Sequence, residues 1–295
     1  MQAFRAANHE DTLRFDYTTI GHVTADVLGD GTRRPGGSAF YSALQAARMG
    51  LRSCILTRGK PAEIEELLAP FRAELELEVE PASHTTTLLT TGAGAARRQS
   101  VLAWAGEIGE AQIDTAILHL APVAREGPQR WLGQCAFVGL TPQGLAREWS
   151  GAEAEIALSA PAPEQEALAA RCDALVLSEV ERPYCEAMIE RARHAGAVVA
   201  VTAGAGQKTL LLPDGTDLEL PAEPVREAHD DLGAGDVFAA ALFIAMYEGR
   251  DAPHAARFAS AAAALRVERT GAVAIASRSA VEARLREGAA NVARD

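Results

Sequence analysis

The chain has 295 residues, 48% hydrophobic and 23% charged, with a formal net charge of −12. That is enough for one large α/β domain, or one domain with a small insertion. The acidic balance argues against a nucleic-acid backbone or an anionic membrane as the main partner, although a local array of backbone N–H groups can still hold a nucleotide.

Residues 1–14 read as a polar tail without a signal-peptide core, and the longest apolar run, Val237 to Tyr247, is well short of the roughly 20 residues that span a bilayer. A cytoplasmic location is therefore expected. Asp16 to Val23 reads as a strand. Gly36-Gly37 opens a helix that runs through Met49 to Gly50. Arg52 to Thr57 is the next strand and Ala62 to Leu68 a helix. Thr85–Thr90 and Gln99–Ala103 read as two strands about a Gly-rich turn, a polar excursion from the main sheet. Apolar runs then recur at Ala116–Leu120, Cys135–Leu140, Ala174–Leu177, Ala197–Thr202 and Thr209–Leu212. Helical patterns fill Gln165–Arg171, Arg182–Ala195, Ala234–Tyr247, Pro253–Arg269 and Arg278–Arg286, with Asp251 as an N-cap and Ser277 preceding the last helix. Short apolar strands alternating with helices imply β-α-β units and a mostly parallel sheet covered on both faces. The four cysteines, Cys54, Cys135, Cys172 and Cys185, form no C-x-x-C pair and read as buried reduced thiols.

The most informative stretch is Asp230 to Phe238, D-D-L-G-A-G-D-V-F, directly before a long apolar helix. Glycines let backbone N–H groups approach a ligand, and a helix N-terminus adds unpaired donors and a partial positive charge. A carboxylate set in such an anion cradle suits a base that takes a proton from an attacking hydroxyl. Gly36-Gly37 and the loop Val201 to Gly206 are weaker markers, each equally consistent with a plain turn.

Together these segments resemble the ribokinase (PfkB) family of carbohydrate kinases. Pro35 to Gly50, P-G-G-S-A-F-Y-S-A-L-Q-A-A-R-M-G, is similar to its N-terminal signature, and Asp230 to Phe238 to its C-terminal signature, D-T-x-G-A-G-D-x-F. The resemblance covers roughly residues 16–286. It implies a ribokinase-like three-layer sandwich, a mostly parallel central sheet with helices on both faces, and a small β lid, here about residues 22–36 and 84–104, all within a single domain from residue 15 to residue 295. It implies ATP- and Mg²⁺-dependent phosphorylation of an alcohol. Gly233, Ala234 and Gly235 would then form the anion hole and Asp236 would be the base. Asp26, Gly36 and Gly37 would bind substrate, Thr202 and Gly204 the nucleotide, and Glu181 the metal. Ser260 is a nucleotide-side candidate by position, or simply a buried helical serine.

The chain also departs from the family pattern. Asp231 replaces the signature Thr, and either adds negative charge near the phosphates or points outward as a helix cap. Ser178 replaces the Asn of an N-x-x-E motif whose Glu is Glu181. An extra residue precedes Lys208. Ser38 and Tyr41 stand where a G-G-N-x-x-N stretch has Asn. With G-H-V-T-A-D near the start and T-P-Q-G-L-A-R at Thr141 to Arg147, the chain is similar to the branch containing myo-inositol kinases. Thr141 replaces that branch's Asp, and Arg147, a substrate-binding candidate, either contacts phosphate or is an exposed loop arginine. His22 reads as a core or rim histidine, and His119 and His229 have no partner identifiable from sequence. The expected acceptor is a polyol or sugar, inositol-like for preference. A nucleoside or sugar-acid kinase, or a catalytically weak ligand sensor, are the alternatives. A homodimer is one expected assembly.

Overall fold

The computed structural model describes residues 14–92, 96–127, 130–151, 153–204 and 206–292. Most of the expected polar tail and the centre of the Gly-rich turn (93–95) lie outside this set. The chain runs β1 (Phe15–Ile20), β2 (Thr24–Leu28), β3 (Arg33–Gly36), α1 (Ser38–Arg48), β4 (Ser53–Gly59), α2 (Pro61–Leu68), β5 (Leu75–Pro81), β6 (Thr87–Thr91), β7 (Arg98–Ala103), β8 (Ala111–Leu120), β9 (Trp131–Leu140), β10 (Arg147–Glu148) and β11 (Ala157–Leu158). It continues through α3 (Pro163–Glu166), β12 (Ala174–Ser178), α4 (Glu186–His194), β13 (Val198–Thr202), β14 (Lys208–Leu211), β15 (Asp217–Leu220), α5 (Ala234–Tyr247), α6 (Ala252–Val267) and α7 (Arg278–Val292).

Nine strands form the central sheet in the order β15-β14-β13-β12-β9-β8-β1-β4-β5. Every pairing from β13 through β5 is parallel, and only β14 and β15 join antiparallel. Strand residues alternate between the two faces. Ile117 and Val176 pack with Phe40, Phe238 and Phe258 on one face, whereas Leu118, Leu175 and Leu177 pack with Met188 and Ile189 on the other. That is why these strands read as continuous apolar runs. α5 is buried from Val237 to Ala245, as expected for a helix that is apolar all round. A Cβ at Gly139 on β9 would overlap the Phe243 ring, so that glycine lets α5 sit close to the sheet.

A second sheet of four strands, β3-β2-β6-β7, stands over the carboxyl ends of the main strands. Its central pair, β2 with β6, is parallel and joins segments about sixty residues apart in sequence.

The sequence reading needs several corrections. The first strand stops at Ile20 and the chain re-pairs as β2. β5 and β15 are edge strands rich in Glu and Asp, whose alternation of acidic and apolar residues leaves no apolar run to notice. The segment at Gln165–Arg171 is one turn of α3 followed by 3₁₀ helix. Arg182–Tyr184 is likewise 3₁₀, so α4 begins only at Glu186. Asp251 does cap α6, accepting from the His254 amide at 2.9 Å. Among the described residues no helix is long and apolar enough to cross a membrane. The cysteines are free, and burial pushes Cys54, Cys172 and Cys185 up to about 12, so they are inert.

Candidate active site

In an open α/β sheet a crevice lies outside the carboxyl ends of the strands where the order reverses. Here that point lies between β1 and β8, and α5 points its N-terminus at it. The D-D-L-G-A-G-D segment owes its shape to a few contacts. The Asp230 carboxylate accepts from the Leu232 amide at 3.0 Å and the Gly271 amide at 3.1 Å. The Ala234 amide donates to the Asp231 carbonyl at 3.2 Å. Gly233 adopts φ 80°, and a Cβ there would sit 2.5 Å from the Tyr41 ring, so the position needs glycine both for its backbone and for space. With the Ala234 amide engaged, the Gly235 and Asp236 amides are the orphan donors of the first turn; among the described residues neither has a partner. A Cβ on Gly235 would project into open space.

These amides stand between two cavities. One, of about 180 Å³, is lined by Asp26, Gly37, Tyr41, Arg147, Gly233 and Asp236 among others. The other, of about 540 Å³, is lined by Thr202, Gly204, Lys208, Ala234 and Ser260, with Val225, Phe238, Ala264 and Val267 as an apolar wall. Arg97, Asp231 and Gly235 belong to both. We refer to them as the small and large chambers.

The small chamber is rich in carboxylates. Asp236 reaches it, but its remaining surroundings are protein. Burial pushes its carboxyl up from 3.8 to about 6, against hydrogen bonding from Ser38 and the charge of Arg147; the charges of Glu181 and Asp26 add to the rise. Asp26 projects from β2, with Thr24 Oγ1 donating to its Oδ1 at 2.7 Å. Burial raises its pKa as well, opposed by Thr24 and by the charges of Arg34, Arg147 and Arg97. Gly36 does not line the chamber but makes room for it, because a Cβ there would overlap the Asp26 carboxylate. Gly37 is the N-cap of α1 at φ 95°. Arg147 is not an exposed loop residue. It is 9% exposed and donates to the Val123 carbonyl and to Gln99 Oε1, both at 2.8 Å.

Other candidates fall differently. Ser260 borders the large chamber, but its hydroxyl donates to the Ala256 carbonyl at 2.8 Å, the ordinary satisfaction of a helical serine. Glu181 lines neither chamber. It is buried beyond β12, where its Oε2 accepts from the Ser178 amide at 2.8 Å. Asp231 is not a cap, since Gly233 holds that position. It pairs with Arg97, the residue immediately before β7. His22 is fully buried and bonded to Thr86 Oγ1 at 2.8 Å, with burial lowering its pKa. His119 has partners after all: the Tyr17 hydroxyl at 2.8 Å and Thr141 Oγ1 at 3.0 Å, with burial driving it down to about 3 and so neutral. His229 borders the large chamber, 3.6 Å from Glu227.

Three groups escape a reading of the sequence. Arg266 is fully buried in the Ala-rich α6 and donates to the carbonyls of Asp230, Leu232 and Arg269 and to the Asp230 carboxylate at 3.0 Å. Although burial works to raise Asp230, the Arg266 hydrogen bond leads the groups that hold it down at about 2. An arginine directly behind the apolar run Ala261–Leu265 was the available signal. Glu126, also fully buried, gathers the amides of His22, Val123 and Ala124 and so ties the end of β1 to the turn after β8. Arg97 has no sequence signal to distinguish it from Arg98.

Residues 151–278 match the model of the pfkB family of carbohydrate kinases. Curated relatives, including the bifunctional protein HldE of Pseudomonas fluorescens (strain Pf0-1) and that of Pseudomonas syringae pv. tomato, are 42% identical over 77 residues. That segment is 26% of this chain and spans only 16% of either relative. Among solved structures, a nucleoside kinase of Methanocaldococcus jannaschii, an archaeal ribokinase-family member, superposes with TM-score 0.71 at 17% identity over 92% of this chain and 98% of that one. A ribokinase of Arabidopsis thaliana with ribose and ATP gives 0.69 at 18% over 92% and 98%. A pyrophosphate-dependent ribokinase-family kinase with a pyrophosphate analog and myo-inositol gives 0.69 at 18% over 90% and 99%. At such identities the superpositions speak for the fold, which is ribokinase-like, and the similarity to the pfkB family of carbohydrate kinases is carried by residues 151–278.

Proposed function

We propose that this chain phosphorylates a hydroxyl of a small cyclitol or sugar, inositol-like for preference, with ATP as donor. The observation that carries this reading is the position of Asp236 and of the unpartnered Gly235 and Asp236 amides at the junction of the two chambers. The small chamber takes the acceptor. Its volume, about 180 Å³, equals that of roughly six waters, room for one polyol ring. Asp26 accepts from one acceptor hydroxyl, and Asp236 accepts the proton of the hydroxyl that reacts. A base of pKa about 6 is ionised at neutral pH yet retains proton affinity.

The large chamber takes the donor. Its apolar wall of Val225, Phe238, Ala264 and Val267 suits a nucleobase, and Thr202, Gly204 and Lys208 lie along the same cavity. That wall favours ATP over pyrophosphate. The Gly235 and Asp236 amides and the N-terminus of α5 hold the charge that builds up on the transferred group. Mg²⁺ commonly binds through one or two carboxylates, substrate phosphates and water. Glu181 lines neither chamber, so it would reach such an ion only through the ion's own water shell, and the bound ion would compensate phosphate charge.

The test is an ADP-release assay over polyols, sugars and nucleosides. Turnover is expected with a cyclitol or sugar and is lost in Asp236→Asn. No turnover with any of the panel, or full activity in that variant, overturns the reading.

A further inference from the structure

Each cation bordering the small chamber is already engaged. Arg147 is held by the Val123 carbonyl and Gln99 and faces Glu126, Glu181, Asp236 and Asp26. Arg34, the third arginine whose charge reaches Asp26, pairs with Asp230 at 3.3 Å. Arg97, immediately ahead of β7, borders both chambers and pairs with Asp231, the residue that stands where the family signature has Thr. Among the described residues the Nε of Arg97 is buried without a partner, so the guanidinium has donors beyond those Asp231 uses. Three carboxylates, Asp26, Asp231 and Asp236, line the chamber against two guanidinium groups, Arg97 and Arg147. Asp26 keeps Oδ2 without a protein hydrogen bond among the described residues. A cavity with open acceptor oxygens, whose cations among the described residues are each already paired with a carboxylate or carbonyl, suits hydroxyl donors and penalises a second anion.

We infer that this chamber selects electrically neutral polyols over phosphorylated or carboxylated ones, and that Asp231 is the specificity-determining residue because it occupies Arg97. The inference rests on the small chamber being the acceptor site. With a neutral residue at 231, Arg97 becomes a free fork that matches phosphate or carboxylate oxygens. The chemistry implied is that of an enzyme adding the first phosphate to an uncharged substrate.

The test is binding rather than turnover, so its failure is distinct from failure of the kinase reading. Titration calorimetry without donor would compare myo-inositol, myo-inositol 1-phosphate and a hexuronic acid on the wild type, on Asp231→Asn, and on Asp231→Asn with Arg97→Ala. The wild type is expected to bind the neutral polyol at least tenfold more tightly than either anion. Asp231→Asn should narrow that gap about tenfold, as one charge-assisted hydrogen bond would, mainly through tighter binding of the anions. Adding Arg97→Ala should reopen the gap. Equal or tighter binding of the anions by the wild type, or an unchanged ratio in Asp231→Asn, overturns the proposal. If the wild type binds none of the three, a gain of anion binding in Asp231→Asn that Arg97→Ala abolishes still supports it, and absence of that gain overturns it.

Discussion

Replacing Asp236 by Asn should move stability and activity in opposite directions. The carboxyl titrates at 3.8 in its ordinary state and is raised to about 6 in the fold by burial. The folded chain therefore holds this proton more tightly than the unfolded chain does. The cost is absent at pH values below the ordinary carboxylate range, grows as pH rises between the two values, and is constant above about 6. A shift of that size corresponds to about 3 kcal/mol. This is a ceiling, because the carboxylate still touches the small chamber. By the same linkage about half of the cost is present at pH 5. Asn carries no charge, so the variant should be the more stable protein by up to about 3 kcal/mol at pH 8, falling to about half of that at pH 5. Urea denaturation of both proteins without ligand at the two pH values gives the comparison, and phosphoryl transfer should fall by roughly 10² to 10⁴. A variant that is less stable at pH 8, or a stability gain that does not change with pH, would refute the assignment of the raised pKa to a desolvated Asp236.

Because the same carboxyl must be ionised to accept a proton, kcat/KM should fall below pH about 6 with the slope of a single proton, and a pH profile with no acidic limb in that range would contradict the base role. Gly36→Ala should drive the Asp26 carboxylate from its place and raise the acceptor KM at least about tenfold, while donor binding measured by calorimetry stays unchanged. Arg266→Met should cost about 1–3 kcal/mol in denaturant unfolding, since it removes one of the two arginines paired with Asp230 and leaves the Asp230 and Leu232 carbonyls without their donor.

The sequence by itself determined what rests on local periodicity and local backbone chemistry. Continuous apolar runs such as Ala174–Leu177 marked strands buried on both faces, and Gly-Ala-Gly-Asp ahead of Val237–Tyr247 marked a helix N-terminus with open amides, because such a terminus needs no distant partner to expose them. Edge strands β5 and β15 did not stand out, because only one face of each is covered and charge interrupts the apolar pattern. Tertiary structure alone decided the pairings across long sequence separations. Arg97 meets Asp231 from 134 residues away, and Arg266 reaches back 36 residues to Asp230. Asp231, the departure from the family signature, is paired with an arginine immediately ahead of β7 whose placement no local pattern specifies. Ion pairs of this kind depend on where two chain segments are brought together by burial of other residues, so their partners are set by packing and not by spacing.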